Sequence, residues 1–172
     1  MMNPVRLACD EMLLRLGKWL RAAGYDTAIA ARGASDEDVV TLAVREERVL
    51  LTCDKRMLPL LQRANVAYLM LPTSRARDLV VVVEDVLGVD LGFARSDVTP
   101  DRWSRCLQCN VLLEDMPREQ LPWSWVGRVP PCKDLYRCPA CRHVFWEGSH
   151  VKRLDARMSE PRQSASVTST GR

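Results

Sequence analysis

Two short apolar runs, each closed by an aspartate and followed by a helical pattern, constrain this chain more than any other feature: VRLACD at residues 5 to 10 and RVLLTCD at residues 48 to 54. Continuous apolar runs of this length suit strands buried on both faces, and their alternation with helices implies a right-handed parallel α/β sheet. After the first run, Met12, Leu13, Leu16, Leu20 and Ala23 recur at three- and four-residue steps, and Gly24 stands where a C-terminal cap belongs. YDTAIAA gives a second strand. Ser35 before Asp36, Glu37 and Asp38 has the form of an N-cap and acidic first turn, for a helix running to about Glu46. A short helix through Leu60 to Ala64 and a fourth strand, VAYLML, follow. In residues 75–88 the run of four valines at 80–83 favours strand, whereas the length and the ending at Glu84, Asp85 and Gly88 favour helix. The segment is read as helix.

In an open parallel sheet the ligand crevice lies beyond the carboxyl ends of the strands, so Asp10 and Asp54 should emerge at one edge. Asp36 or Glu37, at the start of an intervening helix, can join them. Three carboxylates so placed repel one another unless a divalent cation neutralises them, and oxygen-only ligands favour Mg²⁺ or Mn²⁺. Such ions activate water and stabilise the oxygens exchanged at a phosphodiester. Each acid also has a plainer role as a cap, a helix-dipole partner or a turn residue. Their repetition within one α/β unit is what points to a metal site. Lys18, Arg21, Lys55 and Arg56 lie near these acids in sequence and could grip phosphates, with solvated surface as the ordinary alternative. Cys9 and Cys53 precede the two aspartates, but strand alternation turns each thiol away from its acidic neighbour, so they read as small buried residues rather than a redox pair.

Several function classes lack their residues. No histidine occurs before residue 143, and no G-x-G-x-x-G, P-loop or G-x-S-x-G sequence is present. Paired-histidine nuclease, dinucleotide, nucleoside-triphosphate and serine-hydrolase chemistry are therefore not supported in the α/β part. No run of eighteen apolar residues occurs, and MMNPVRLACDEM lacks the layout of a signal peptide, so a cytoplasmic protein with no membrane partner is expected.

Charge and composition shift near residue 95. Residues 1–95 carry 13 Lys and Arg against 13 Asp and Glu, while the remainder carries 12 against 9 and so holds the whole net charge of +3. Most prolines and tryptophans also lie in this second part, which reads as a loop-rich module with a thin core that needs a staple. The pairs Cys106-x-x-Cys109 and Cys138-x-x-Cys141 supply one: four thiolates complete a tetrahedron around zinc and leave no open position for catalysis. Free buried thiols or an iron-bearing variant are the alternatives. Cys132 reads as a spare thiol near the site. Of the two histidines, one is expected to pack on the ribbon and the other to face solvent, with phosphate contact or zinc ligation as the functional alternatives for His143 and His150. Trp103, Trp123, Trp125 and Trp146 could stack on bases, although a module this small needs most of them in its core. The expected organisation is an α/β domain at residues 1–95, a zinc ribbon at 96–154 and a disordered polar tail at 155–172.

The blocks ACDEMLLRLGKWLRAAGYDT, SDEDVVTLA, RVLLTCDKRML, RCLQCN and CPACRHVFWEGSH, in that order, resemble the PIN-like ribonuclease family named for the C-terminal domain of the mutator-seven exonuclease. The resemblance runs from about residue 5 to 153. It implies a PIN-like parallel sheet followed by a zinc ribbon, divalent-metal-dependent cleavage of RNA, and a ribbon that helps hold the nucleic acid. Asp10, Asp36 and Asp54 match the family's acidic positions, with Thr52 placed to support Asp54, and Arg21 and Asp26 match its LR-x-x-GYD block. Asp78, Asp85 and Asp90 are candidates for the fourth acid that PIN-like nucleases often use, and Phe145 stands where tyrosine is expected. The rival readings are a non-catalytic RNA-binding adaptor, in which the ribbon binds and the acids are structural, and a toxin-like nuclease with an inhibitor protein.

Overall fold

A computed structural model describes residues 5–72, the helical positions 79, 82, 83 and 87, and residues 103–131, 133–146, 148 and 169–171. The first part is built from β1 (Leu7–Cys9), α1 (Leu14–Ala22), β2 (Thr27–Ile29), α2 (Asp36–Arg45), β3 (Val49–Thr52), α3 (Leu58–Ala64) and β4 (Tyr68–Met70). The four strands are parallel in the order β2-β1-β3-β4. This is the expected α/β sheet.

Strand alternation divides the core into two layers. Leu7, Cys9, Leu51 and Leu69 face α1, joined by the helical positions Leu79, Val82 and Val83. Ala8, Leu50, Tyr68 and Met70 face α2 and α3 through Val39, Val40, Ala43 and Leu61. The helical state and three- and four-residue spacing of 79, 82, 83 and 87 agree with the helix reading of the valine-rich segment. Cys9 and Cys53 belong to the α1 layer, and Cys9 is buried.

Local signals set the ends of these elements. Ser35 Oγ accepts from Asp38 N at 3.1 Å and caps α2. Gly24, at φ 94°, ends α1 in a left-handed turn that a side chain would strain. Met12 departs from its predicted place on the apolar face: residues Glu11–Leu13 form a single 3₁₀ turn before α1, and Met12 is exposed.

The second part is a three-stranded antiparallel sheet of β5 (Glu114–Asp115), β6 (Tyr136–Arg137) and β7 (Val144–Phe145). Its core is Met116, Val129, Leu135 and Val144, with Leu121, Trp125 and Trp146 packed against it. So small a core matches the expected need for a staple. His143 packs edge-on between Trp125 and Phe145, whereas Trp123 is 91% exposed. A last strand, β8 (Ser169–Gly171), pairs antiparallel with β4. These three residues thus add a strand within the tail read from composition as disordered, because the β4 edge offers unpaired backbone groups. Residues 155–168 lie outside the described residues, as do Asp78, Asp85, Asp90, Cys132 and His150. Among the described residues no helix is long and apolar enough to cross a membrane.

Candidate functional site

The chain leaves β1 for β2 on one side and later returns through β3 on the other, so the topological switch point of the sheet lies between β1 and β3. Asp10 follows β1 and Asp54 follows β3 by two residues. Because Cys9 pairs in register with Leu51, Asp10 falls level with Thr52. The Thr52 hydroxyl donates to Asp10 Oδ2 and accepts from Asp54 N at 3.0 Å. One hydroxyl therefore couples both strand ends, where sequence reasoning gave it to Asp54 alone.

The two aspartates share a local design. Asp10 Oδ1 accepts from Leu13 N at 3.1 Å and caps the turn before α1; Asp54 Oδ1 accepts from Arg56 N at 2.9 Å and caps the turn before α3. Their surroundings differ. Asp10 is 6% exposed, and burial raises its carboxyl above the ordinary value against the opposing hydrogen bonds from Thr52 and Leu13. Asp54 is gripped by the Arg56 guanidinium, with Nη2 at 2.7 Å and Nε at 3.1 Å from Oδ2, which holds its carboxyl below the ordinary value. Asp36, exposed at the start of α2, lies close enough for its charge to act on Arg56. Among the described residues the three carboxylates are not drawn into one close group of ligand atoms. Arg56, with its side chain 88% exposed, occupies the charge-balancing role beside Asp54. Lys55 is exposed in the same turn, and Lys18 is half-buried on α1.

Arg21 departs from the expectation of a phosphate-gripping cation. It is 6% exposed, its Nε donates to Thr27 O at 2.8 Å, and its Nη1 donates to Leu107 O at 2.9 Å and Gln108 O at 2.8 Å. A guanidinium spent on three carbonyls ties α1 to the first cysteine pair instead. Asp26, from the same sequence block, accepts from Arg48 Nη1 at 2.7 Å and Asn110 Nδ2 at 2.6 Å. Burial opposes its ionisation, but these two bonds hold its carboxyl below the ordinary value. Sequence reasoning missed Asn110 and Arg105 as junction residues; the available signal was the asparagine directly after a C-x-x-C pair, which tolerates a left-handed turn.

The cysteine pairs form two matching knuckles. Asn110 N donates to Cys106 O at 2.8 Å and Arg142 N donates to Cys138 O at 2.9 Å, with Asn110 at φ 67° and Arg142 at φ 62°. The Cys109 and Cys141 amides turn inward toward the sulfurs of Cys106 and Cys138. All four Sγ atoms lie within 4.8 Å of one another, and Cys106 and Cys141 are 3.7 Å apart. Zinc with Zn–S bonds of about 2.3 Å needs sulfurs about 3.8 Å apart, so the set fits. Thiols this close cannot all ionise alone. The His143 amide helps lower Cys141 to about 7, while the neighbouring Cys141 and burial raise Cys109 to about 12. A cation removes that conflict.

The described chain thus combines a parallel α/β sheet, with two aspartates at its switch point, and a small antiparallel sheet closed by a four-cysteine cluster consistent with a zinc ribbon. The chain matches the family model described as Mut7-C RNAse domain over residues 5–158, and it belongs to that family. No curated protein and no solved structure matches it.

Proposed function

We propose that the protein is a divalent-metal-dependent ribonuclease that hydrolyses RNA phosphodiester bonds, with Asp10, Asp36 and Asp54 as its acidic ligands and the ribbon, closed by structural zinc, assisting RNA binding. The observation that carries this reading is the placement of a buried Asp10 and a second aspartate at adjacent strand ends, coupled by Thr52. Burying a carboxylate costs free energy that a structural role does not require, and a cation recovers it. Mg²⁺ often takes only one or two protein carboxylates and keeps water for the rest, so Asp10 and Asp54 suit it, with Asp36 at the rim. When bound, such an ion supplies charge stabilisation at phosphorus and a more acidic water. Thr52 fixes the orientation of Asp10, and the N-cap bond from Leu13 keeps that carboxylate at the strand end. With Asp54 holding such an ion, Arg56 would be free to neutralise a backbone phosphate, joined by Lys55 and Lys18.

A second reading is favoured by the Arg56–Asp54 pair, which neutralises Asp54 without any ion: an RNA-binding adaptor whose acids only cap turns. Titrating Mn²⁺ or Mg²⁺ into purified protein with labelled RNA separates the two. The nuclease turns over RNA only with the ion, and the adaptor binds RNA equally in chelator without cleaving it.

A further inference from the structure

The first cysteine knuckle is fastened to the end of α1 and the start of β2. Arg21 spans the junction through Thr27 O on one side and the knuckle carbonyls of Leu107 and Gln108 on the other. Asn110 returns the contact: its Oδ1 accepts from Thr27 N at 3.0 Å while its Nδ2 donates to Asp26. Arg105 Nε donates to Gly24 O at 2.9 Å and its Nη1 to Asn110 O at 2.8 Å, and Trp103 N donates to Ala22 O at 2.8 Å. Arg48, itself buried, holds Asp26 from behind. Position 142 is the equivalent of Asn110 in the second knuckle, and there the side chain is exposed.

Two physical consequences follow for a metal in the cluster. Four thiolates with Zn²⁺ carry a net charge of −2, and the buried Arg21 guanidinium is the positive charge held against the Cys106 and Cys109 side of that cluster. Three of the carbonyls that Arg21 and Arg105 grip, those of Leu107, Gln108 and Asn110, belong to the loop between and after the first two ligands, so these bonds hold the knuckle in its ligating shape before an ion arrives. Outer partners of this kind commonly change metal affinity by about 10- to 100-fold.

We propose that Arg21 and Asn110 are positioning residues of the zinc site, so that zinc binding and docking of the ribbon onto the α/β domain form one coupled event. By linkage, whatever docking contributes to holding zinc, zinc contributes to docking. The α1–β2 turn is then a part of the metal site.

The test uses the zinc-loaded full chain. Zinc release to an excess of a coloured chelator is timed for the native protein, Arg21→Lys and Asn110→Ala. In parallel, amide hydrogen exchange is read at Thr27 and Trp103 in zinc-loaded and chelator-stripped native protein, with Leu50 in the sheet as internal reference. The expected results are release about tenfold or more faster in both variants, and loss of Thr27 and Trp103 protection on stripping while Leu50 stays protected. Native release rates in both variants, or Thr27 protection that ignores zinc, would overturn the proposal. If a variant fails to fold, the exchange measurement on the native chain decides alone. Neither readout involves RNA, so the outcome is separate from that of the nuclease reading.

Discussion

The four-cysteine cluster and the strand-end acids proposed as ligands are assembled by different means. Each knuckle is local: two intervening residues and one left-handed turn bring two sulfurs together, and the small antiparallel sheet aligns the two knuckles. The acids are delivered by topology, from strands separated by a helix, a strand and another helix. The knuckles reach ligand spacing through their own backbone turns, the first with Arg21 bonded to two of its carbonyls. The acids stop short of it, with Asp54 paired to Arg56 and Asp36 exposed at the start of α2. A set held by local geometry is suited to a permanent ion, and a set balanced by an exposed arginine is suited to one that exchanges.

The largest contrast should come from removing zinc. Chelation, or Cys106→Ser, should unfold the ribbon, whose core among the described residues is four buried side chains, because structural zinc contributes on the order of 10 kcal/mol in small zinc modules. The α/β domain should keep its helical circular dichroism. Loss of that signal together with the ribbon would erase the distinction between the two sets.

Next is the effect on chemistry. Asp10→Asn should lower RNA cleavage by at least about a hundredfold while leaving the fold and bound zinc intact, measured as single-turnover rates beside zinc content. Cleavage at the native rate would reduce Asp10 to a cap.

A smaller effect concerns pH. Burial raises the Asp10 carboxyl, so the folded state keeps a proton that the unfolded chain has already released. Stability should therefore fall as pH rises from the ordinary carboxylate range through the raised Asp10 value. Thermal melts of the zinc-loaded protein without added Mn²⁺ should show this slope, Asp10→Asn should flatten it, and saturating Mn²⁺ should flatten it in the native chain. Identical slopes in all three would remove the cost assigned to the buried acid.

The smallest expected change is that of Arg56→Ala. Freeing Asp54 from its exposed partner should tighten Mn²⁺ binding by about two- to fivefold, in keeping with the modest worth of surface ion pairs. Weaker Mn²⁺ binding in this variant would show that Arg56 supports the site rather than competing for it.

Much of this was legible in the residues. The strands ending at Asp10 and near Asp54, the Ser35 cap, the Gly24 stop and both cysteine knuckles rest on short-range patterns, and the structure has each of them. Arg21 was misread because its charge and its place near the acids suggest phosphate, whereas its actual partners are carbonyls 86 and 87 residues away. Asn110 was overlooked for the same reason: its contacts with Thr27 and Asp26 span more than eighty residues. The 3₁₀ turn that exposes Met12 lies outside a helical periodicity, since its tighter winding carries Met12 off the apolar face while Leu13 stays on it.

Direct binding of Mn²⁺ to the zinc-loaded protein, followed by the electron paramagnetic resonance of the free ion, tests the acidic site without relying on the right RNA. Saturable binding is expected in the native chain and its loss in both Asp10→Asn and Asp54→Asn. Unchanged Mn²⁺ binding by the two folded variants would contradict it.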